Sequence, residues 1–123
     1  MSNSTGNRVL ILTLHTSATE LNYSDRNRFE VSIYADNTGK TVLEPDLYFT
    51  SLLINGIESE VWRHAITNGR RKTNWYFLPP GERASLSWST MGDQLFPTPG
   101  IYILQLRLRA LKSDEVKITV LKD

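Results

Sequence analysis

Residue types that carry covalent or metal chemistry are sparse in this chain of 123 residues. It has no cysteine, which removes thiolate nucleophiles, disulfide frameworks and thiolate zinc sites together. Two histidines remain, His15 and His64. A histidine acts as a general base only when a nucleophile and an orienting group are in reach, and no G-x-S-x-G motif accompanies either one. The acids Asp36, Glu44, Asp46, Glu58 and Glu60 do not follow a calcium-loop spacing, and Asp36-Asn37-Thr38-Gly39 reads as a turn. Glu58 and Glu60, two residues apart, would share one face of a strand. That is a pair of the kind glycoside hydrolysis uses, or a charged edge that discourages aggregation. The expectation is a protein that is not an enzyme and holds no cofactor or metal.

Binding chemistry is better represented. Residues 61–81 contain Arg63, Arg70, Arg71 and Lys72 and no acid, with Trp62, Trp75 and Tyr76 in the same span. Arginine and tryptophan dominate interface hot spots because each covers a large area and offers a donor. The candidate binding residues are therefore Arg63, Arg70, Arg71, Lys72, Trp75 and Tyr76. The alternative places Trp62, Trp75 and Trp88 in the core, as large aromatics usually are in small sandwiches, and leaves residues 70–72 as a solvated turn. Residues 89–98 pose the same choice: Leu95 and Phe96 either present apolar surface to a partner or plug one end of the fold.

Hydrophobic residues make up 40% of the chain and charged residues 22%, an ordinary globular composition. A net charge of +1, with both signs interspersed, argues against a nucleic-acid partner. The longest apolar run, residues 9–14, is far short of the ~20 residues that cross a bilayer, so no membrane insertion is expected. Residues 1–7 are small and polar and read as a flexible N-terminus before a single domain over residues 8–123. The compartment is cytoplasmic if that N-terminus is native and extracellular if a signal has been removed.

The elements that must position these residues are strands. In residues 29–35 the odd positions are apolar, and in residues 83–88 the even ones are, a period of two that sets side chains on opposite faces of a pleated strand. In the longest run Tyr102, Leu104, Leu106, Leu108 and Ala110 share one face, while Gln105, Arg107 and Arg109 take the other. With Lys112-Ser113-Asp114 as a tight connection, this run pairs with residues 116–120 in a closing hairpin. Residues 9–15 are apolar on both faces, fitting a strand covered on both sides or shared between two sheets. Asn55-Gly56 predicts a type I′ hairpin, and Asn68-Gly69 predicts a second one between residues 62–66 and 73–78. Pro79-Pro80-Gly81-Glu82 reverses the chain. Residues 89–100 are too punctuated for regular structure, and residues 17–26 hold at most a turn. Seven to eight strands in an all-β, immunoglobulin-like antiparallel β-sandwich are expected. Tyr102, just after Pro99-Gly100, takes the position of a tyrosine corner, its hydroxyl bonding back to the backbone.

Several of these segments together, Phe29-x-Val31-x-Ile33, Asn37-Thr38-Gly39-Lys40, Asn55-Gly56, Glu60-Val61-Trp62-Arg63, Leu78-Pro79-Pro80-Gly81-Glu82, Trp88 and Pro99-Gly100-Ile101-Tyr102, resemble the bacterial intracellular proteinase inhibitor (BsuPI-type) domain over residues 28–108. The resemblance implies an immunoglobulin-like sandwich and inhibition of an intracellular serine proteinase. The chain departs from that family in a longer basic tip at residues 67–72. The resulting expectation is a protein-binding domain whose partner is another protein, with a proteinase as one candidate. A module that stacks glycans on exposed tryptophan is the alternative.

Overall fold

The computed structural model of the chain describes residues 9–68, 73–89 and 92–123. Nine strands lie among them: β1 (Leu10–Thr16), β2 (Glu20–Asn22), β3 (Val31–Asn37), β4 (Thr50–Ile54), β5 (Ile57–Glu58), β6 (Arg83–Trp88), β7 (Gly100–Leu108), β8 (Leu111–Lys112) and β9 (Val116–Leu121). Two short helices, α1 (Glu60–Asn68) and α2 (Gly92–Leu95), interrupt them. The period-two pattern does what it must. Val31, Ile33 and Ala35 of β3, and Leu104, Leu106 and Leu108 of β7, point into one core, while Gln105 and Arg107 face outward.

The strands form two sheets packed as an all-β sandwich. One has the order β1-β3-β6, all antiparallel. The other has the order β2-β9-β7-β4-β5, with β8 pairing β7. Nine strands exceed the seven to eight expected, because β2, β5 and β8 are too short to leave a pattern. The second sheet is mixed, since β2 runs parallel to β9. Neither reading of the N-terminal strand holds: β1 pairs only with β3, and the chain joins the second sheet through the separate strand β2. β1 itself buries only one face: Leu12 and Leu14 are inside, Ile11, Thr13 and His15 outside.

Turn chemistry decides the connections. Asn55 and Gly56 have φ of 53° and 84°, the pair of left-handed residues a type I′ hairpin needs. The Pro79 carbonyl accepts the Glu82 N–H, closing the expected reversal.

The second hairpin does not form. Residues 60–68 are helix, and residues 73–75 form a 3₁₀ turn. Ser59 caps the helix, its hydroxyl accepting the Trp62 N–H at 3.2 Å. Trp62 and Ile66, one turn apart, are buried against β4 and Trp88. The helix therefore fills the side of the sandwich between the edge strands β5 and β6. It also separates Glu58, on β5, from Glu60, in the first helical turn, so the two carboxylates do not share a strand face.

The closing hairpin also differs in detail. The reversal occurs at Arg109 and Ala110, where Arg109 has a φ of 56°. Residues 112–114 are not a turn. Arg107 pairs with Lys112 and Leu104 with Val116, so two residues of β7 face three on the other side, a β-bulge. The Ser113 hydroxyl accepts the Leu106 N–H that the bulge would otherwise strand.

Residues 92–95, expected as loop, form α2, and residues 23–28 form a 3₁₀ helix packed against it.

Candidate binding surface

Asn37, at the end of β3, organises one end of the sandwich. It is 1% exposed, and its side chain is fully used. The amide nitrogen donates to the carbonyls of Thr41 and Leu78, each at 2.8 Å, and the amide oxygen accepts the Gly39 N–H at 2.9 Å. Its backbone N–H and carbonyl bond Glu82 and Gly81. One residue thus ties the loop of residues 38–49 to the loop of residues 76–82. A two-bond bridge between Leu43 and Leu78, and the Asp46 N–H donating to the Trp75 carbonyl at 2.7 Å, continue the seam. The β7–β8 turn joins them, since the Arg109 guanidinium donates to the Pro45 carbonyl and lies 5.2 Å over the Phe49 ring.

On this frame four large apolar side chains are exposed, Phe49 54%, Phe77 57%, Tyr76 43% and Val42 43%, among the exposed polar residues Thr38, Lys40, Thr41, Glu44 and Glu82. Tyr48 meets Phe49 edge-on at 5.4 Å. Past Val42 and the Arg109 that covers Phe49 lies a cavity of about 700 Å³ walled by apolar residues, Leu10, Leu43, Pro45, Leu108 and Leu111 among them, and by Glu44, Arg109 and Lys112. On the other side of Phe49 a smaller cleft of about 350 Å³ runs along α1, walled by Ser51, Glu58, Trp62, Arg63 and Ile66. Large exposed aromatics beside an apolar concavity are the chemistry of a protein-binding surface: each ring covers much area and loses few rotamers on docking.

The cleft has its own electrostatics. Glu58 accepts from the Ser51 hydroxyl at 2.8 Å, forms an ion pair with Arg63, and lies 3.8 Å from the Arg107 guanidinium. The Ser51 hydroxyl, followed by the Arg63 guanidinium, holds the Glu58 carboxyl below the usual carboxylate range.

The residues singled out from sequence are divided by this geometry. Tyr76 lies at the loop end and Arg63 in the adjoining cleft, engaged with Glu58. Trp75 is fully buried, so its indole is core and not contact surface. Its N–H, and the neighbouring Asn74 amide oxygen, have no hydrogen-bond partner among the described residues. Arg70, Arg71 and Lys72 lie outside the described residues. Trp62 is also fully buried and Trp88 partly so, which takes away most of the indole surface a glycan-stacking module requires. Leu95 and Phe96 are core residues that plug the opposite end. His64 is exposed on α1 and His15 on β1, in separate parts of the fold. Among the described residues no three His, Asp or Glu side chains gather in a metal-binding group.

Phe49, Phe77, Val42 and Arg109 carry the surface and were not singled out from sequence. Phe77 had a signal, since it follows Tyr76 directly before the Leu78-Pro79-Pro80-Gly81 turn. Phe49 had none, because its exposure depends on the left-handed Asp46 that starts the 3₁₀ turn of Leu47–Phe49.

No helix among the described residues is long and apolar enough to cross a membrane. No protein-family model matches the chain, and neither does any curated protein.

Proposed function

We propose that this chain is an immunoglobulin-like, non-enzymatic binding domain that engages another protein through the loop end built on Asn37. The observation that carries the reading is the set of half-exposed rings, Phe49, Tyr76 and Phe77, on loops held by backbone and Asn37 hydrogen bonds beside an apolar cavity. A rigid, pre-ordered apolar surface binds without a large ordering cost. The immunoglobulin-like reading is supported by the chain path, which leaves one sheet after β1 and joins the other through β2 parallel to the last strand.

Within this reading the partner implied by the sequence resemblance is a serine proteinase. The test is titration of subtilisin-like and chymotrypsin-like proteinases with the intact chain. Stoichiometric loss of activity is expected, weakened roughly tenfold or more by Phe49→Ala or Phe77→Ala, as for hot-spot rings. Ordinary digestion of the chain with no loss of proteinase activity would remove the inhibitor reading.

A further inference from the structure

The four sheet edges of this sandwich are not equally protected. β2 and β5 expose three and two residues, too few to template another strand. β6 is flanked by the 3₁₀ turn of Thr73–Trp75, and the Asn74 amide donates to the Arg83 carbonyl at its start. β1 is different. It is seven residues long, Leu-Ile-Leu-Thr-Leu-His-Thr, without proline, lysine, arginine or acid, and its pairing with β3 runs unbroken from Leu10 to Thr16. Within β1 no charge, proline or bulge blunts the edge.

The direction of its backbone groups follows from the register. The Val9 carbonyl accepts from Thr38 and the Ser17 N–H donates to Glu30, so the odd-numbered residues of β1 bond to β3. The N–H and carbonyl groups of Leu10, Leu12, Leu14 and Thr16 therefore point away from the sheet, along the rim of a groove of about 550 Å³ that separates β1 from residues 111–116. Among the described residues no backbone partner meets them.

We infer that this edge pairs with the β1 edge of a second copy of the chain, joining the two small sheets into one six-stranded antiparallel sheet across a two-fold axis at Thr13. The sequence is self-complementary in that register. Leu12 faces Leu14 of the second copy and Leu10 faces Thr16, so all four outward residues fall in hydrogen-bonded pairs. Their side chains point to the core face, where leucine meets leucine. On the other face Thr13 meets Thr13 and Ile11, 45% exposed in the single chain, meets His15. No like charges are opposed, because β1 carries no Asp, Glu, Lys or Arg and the two copies of His15 do not face one another. The self-matching of an uncharged strand favours a second copy over a foreign peptide. The contact is one strand wide, so the dimer is concentration-dependent.

The test is sedimentation equilibrium of the full chain over a wide concentration range, with Thr13→Lys and Thr13→Glu as variants. Thr13 is exposed and its side chain enters no core contact, so both variants are expected to keep the parent's circular dichroism and melting behaviour. Wild type is expected to show reversible dimerisation. Each variant alone is expected to dimerise about tenfold less well, because like charges meet at the axis, and an equimolar mixture of the two should recover dimer. A monomer at every concentration overturns the inference, even if an extended apolar peptide then binds the same edge. Dimerisation unchanged in both variants overturns it equally, since the contact would lie elsewhere.

Discussion

The two ends of the sandwich draw on the same kinds of aromatic residue and use them in opposite ways. At one end Phe29 and Phe96 meet edge-on at 5.1 Å, and Phe96 packs on Tyr102 at 4.8 Å, with all three rings buried. The Tyr102 hydroxyl donates to the Thr98 carbonyl at 2.6 Å, as a tyrosine corner does. Arg26 clamps the plug by donating to the carbonyls of Tyr23, Asp93 and Phe96. Gly92 lies so close to the Arg26 carbonyl that an added Cβ would come within 2.1 Å of it. At the other end Phe49, Tyr76 and Phe77 stand in solvent although the loops beneath them are equally well bonded. Order without burial at the second end is what the proposed binding role calls for, and burial without access marks the first as structural.

The largest effect that would sharpen this contrast is the asymmetry of truncation. Phe96→Ala is expected to cost about 3–5 kcal/mol, the range for deleting a buried ring. Phe77→Ala at the open end is expected to change stability by no more than about 0.5 kcal/mol. Urea denaturation of both variants gives the comparison, and equal losses would erase the distinction between the ends. Next in size, Asn37→Ala should cost about 1–3 kcal/mol, because the Thr41 carbonyl and the Gly39 N–H lose the side chain that meets them and the Leu78 carbonyl keeps only the Leu43 N–H. Amide exchange should then rise in residues 38–46 and 76–82 and stay unchanged near Phe96. Exchange rising equally at both ends would mean Asn37 supports the whole sandwich and not the open end in particular.

The smallest expected effect concerns the cleft beside α1. Since the folded pKa of Glu58 lies below its unfolded value, its interactions stabilise fully above the unfolded pKa and are lost as pH falls through the folded one. Glu58→Gln should therefore flatten the stability curve on the acid side, below the ordinary glutamate range of about 4.3, by no more than about 1 kcal/mol. Thermal melts of both proteins between neutral and acid pH would show it. A parallel displacement at all pH values would show that the carboxylate charge is not what the cluster uses.

Much of the fold was legible because it rests on a short-range code. Period-two alternation places β3, β6, β7 and β9, and Asn55-Gly56 places one hairpin, without reference to the rest of the chain. Helix α1 was misread for a physical reason. In nine residues the spacing of Val61, Trp62, Ala65 and Ile66 fits a helical face, and Ser59 before Glu60 is a helix-start signal. Val61, Ile66 and Thr67 are β-branched, however, and Asn68-Gly69 supplies a hairpin cue of the same form as Asn55-Gly56. What tips the balance is tertiary: the gap between β5 and β6 takes Val61, Trp62, Ala65 and Ile66 together, and a helix turns all four toward it where a strand would split them between two faces. The binding surface was less legible still. Tyr76 and Arg63 stood out by type and charge. Phe77 had a hint in its place before the Leu78-Pro79 turn, but the exposure of Phe49 depends on the left-handed Asp46 and on seams between segments more than 30 residues apart, which no local pattern encodes.

The placement of the three tryptophans has an optical consequence. Trp62 and Trp75 are enclosed and Trp88 leans edge-on against Trp62 at 5.0 Å, so every indole sits on the α1 side or beneath the open end. The rings that plug the sealed end are phenylalanine and tyrosine, and Trp88, opposite Val31 at the end of β6, is the indole toward that end. Excited at the red edge, where tyrosine is dark, the chain reports chiefly on the wall behind α1, where Trp62 and Trp88 meet. A red shift of emission that precedes global unfolding would be the signature of α1 swinging away from the sheets while the far end stays shut.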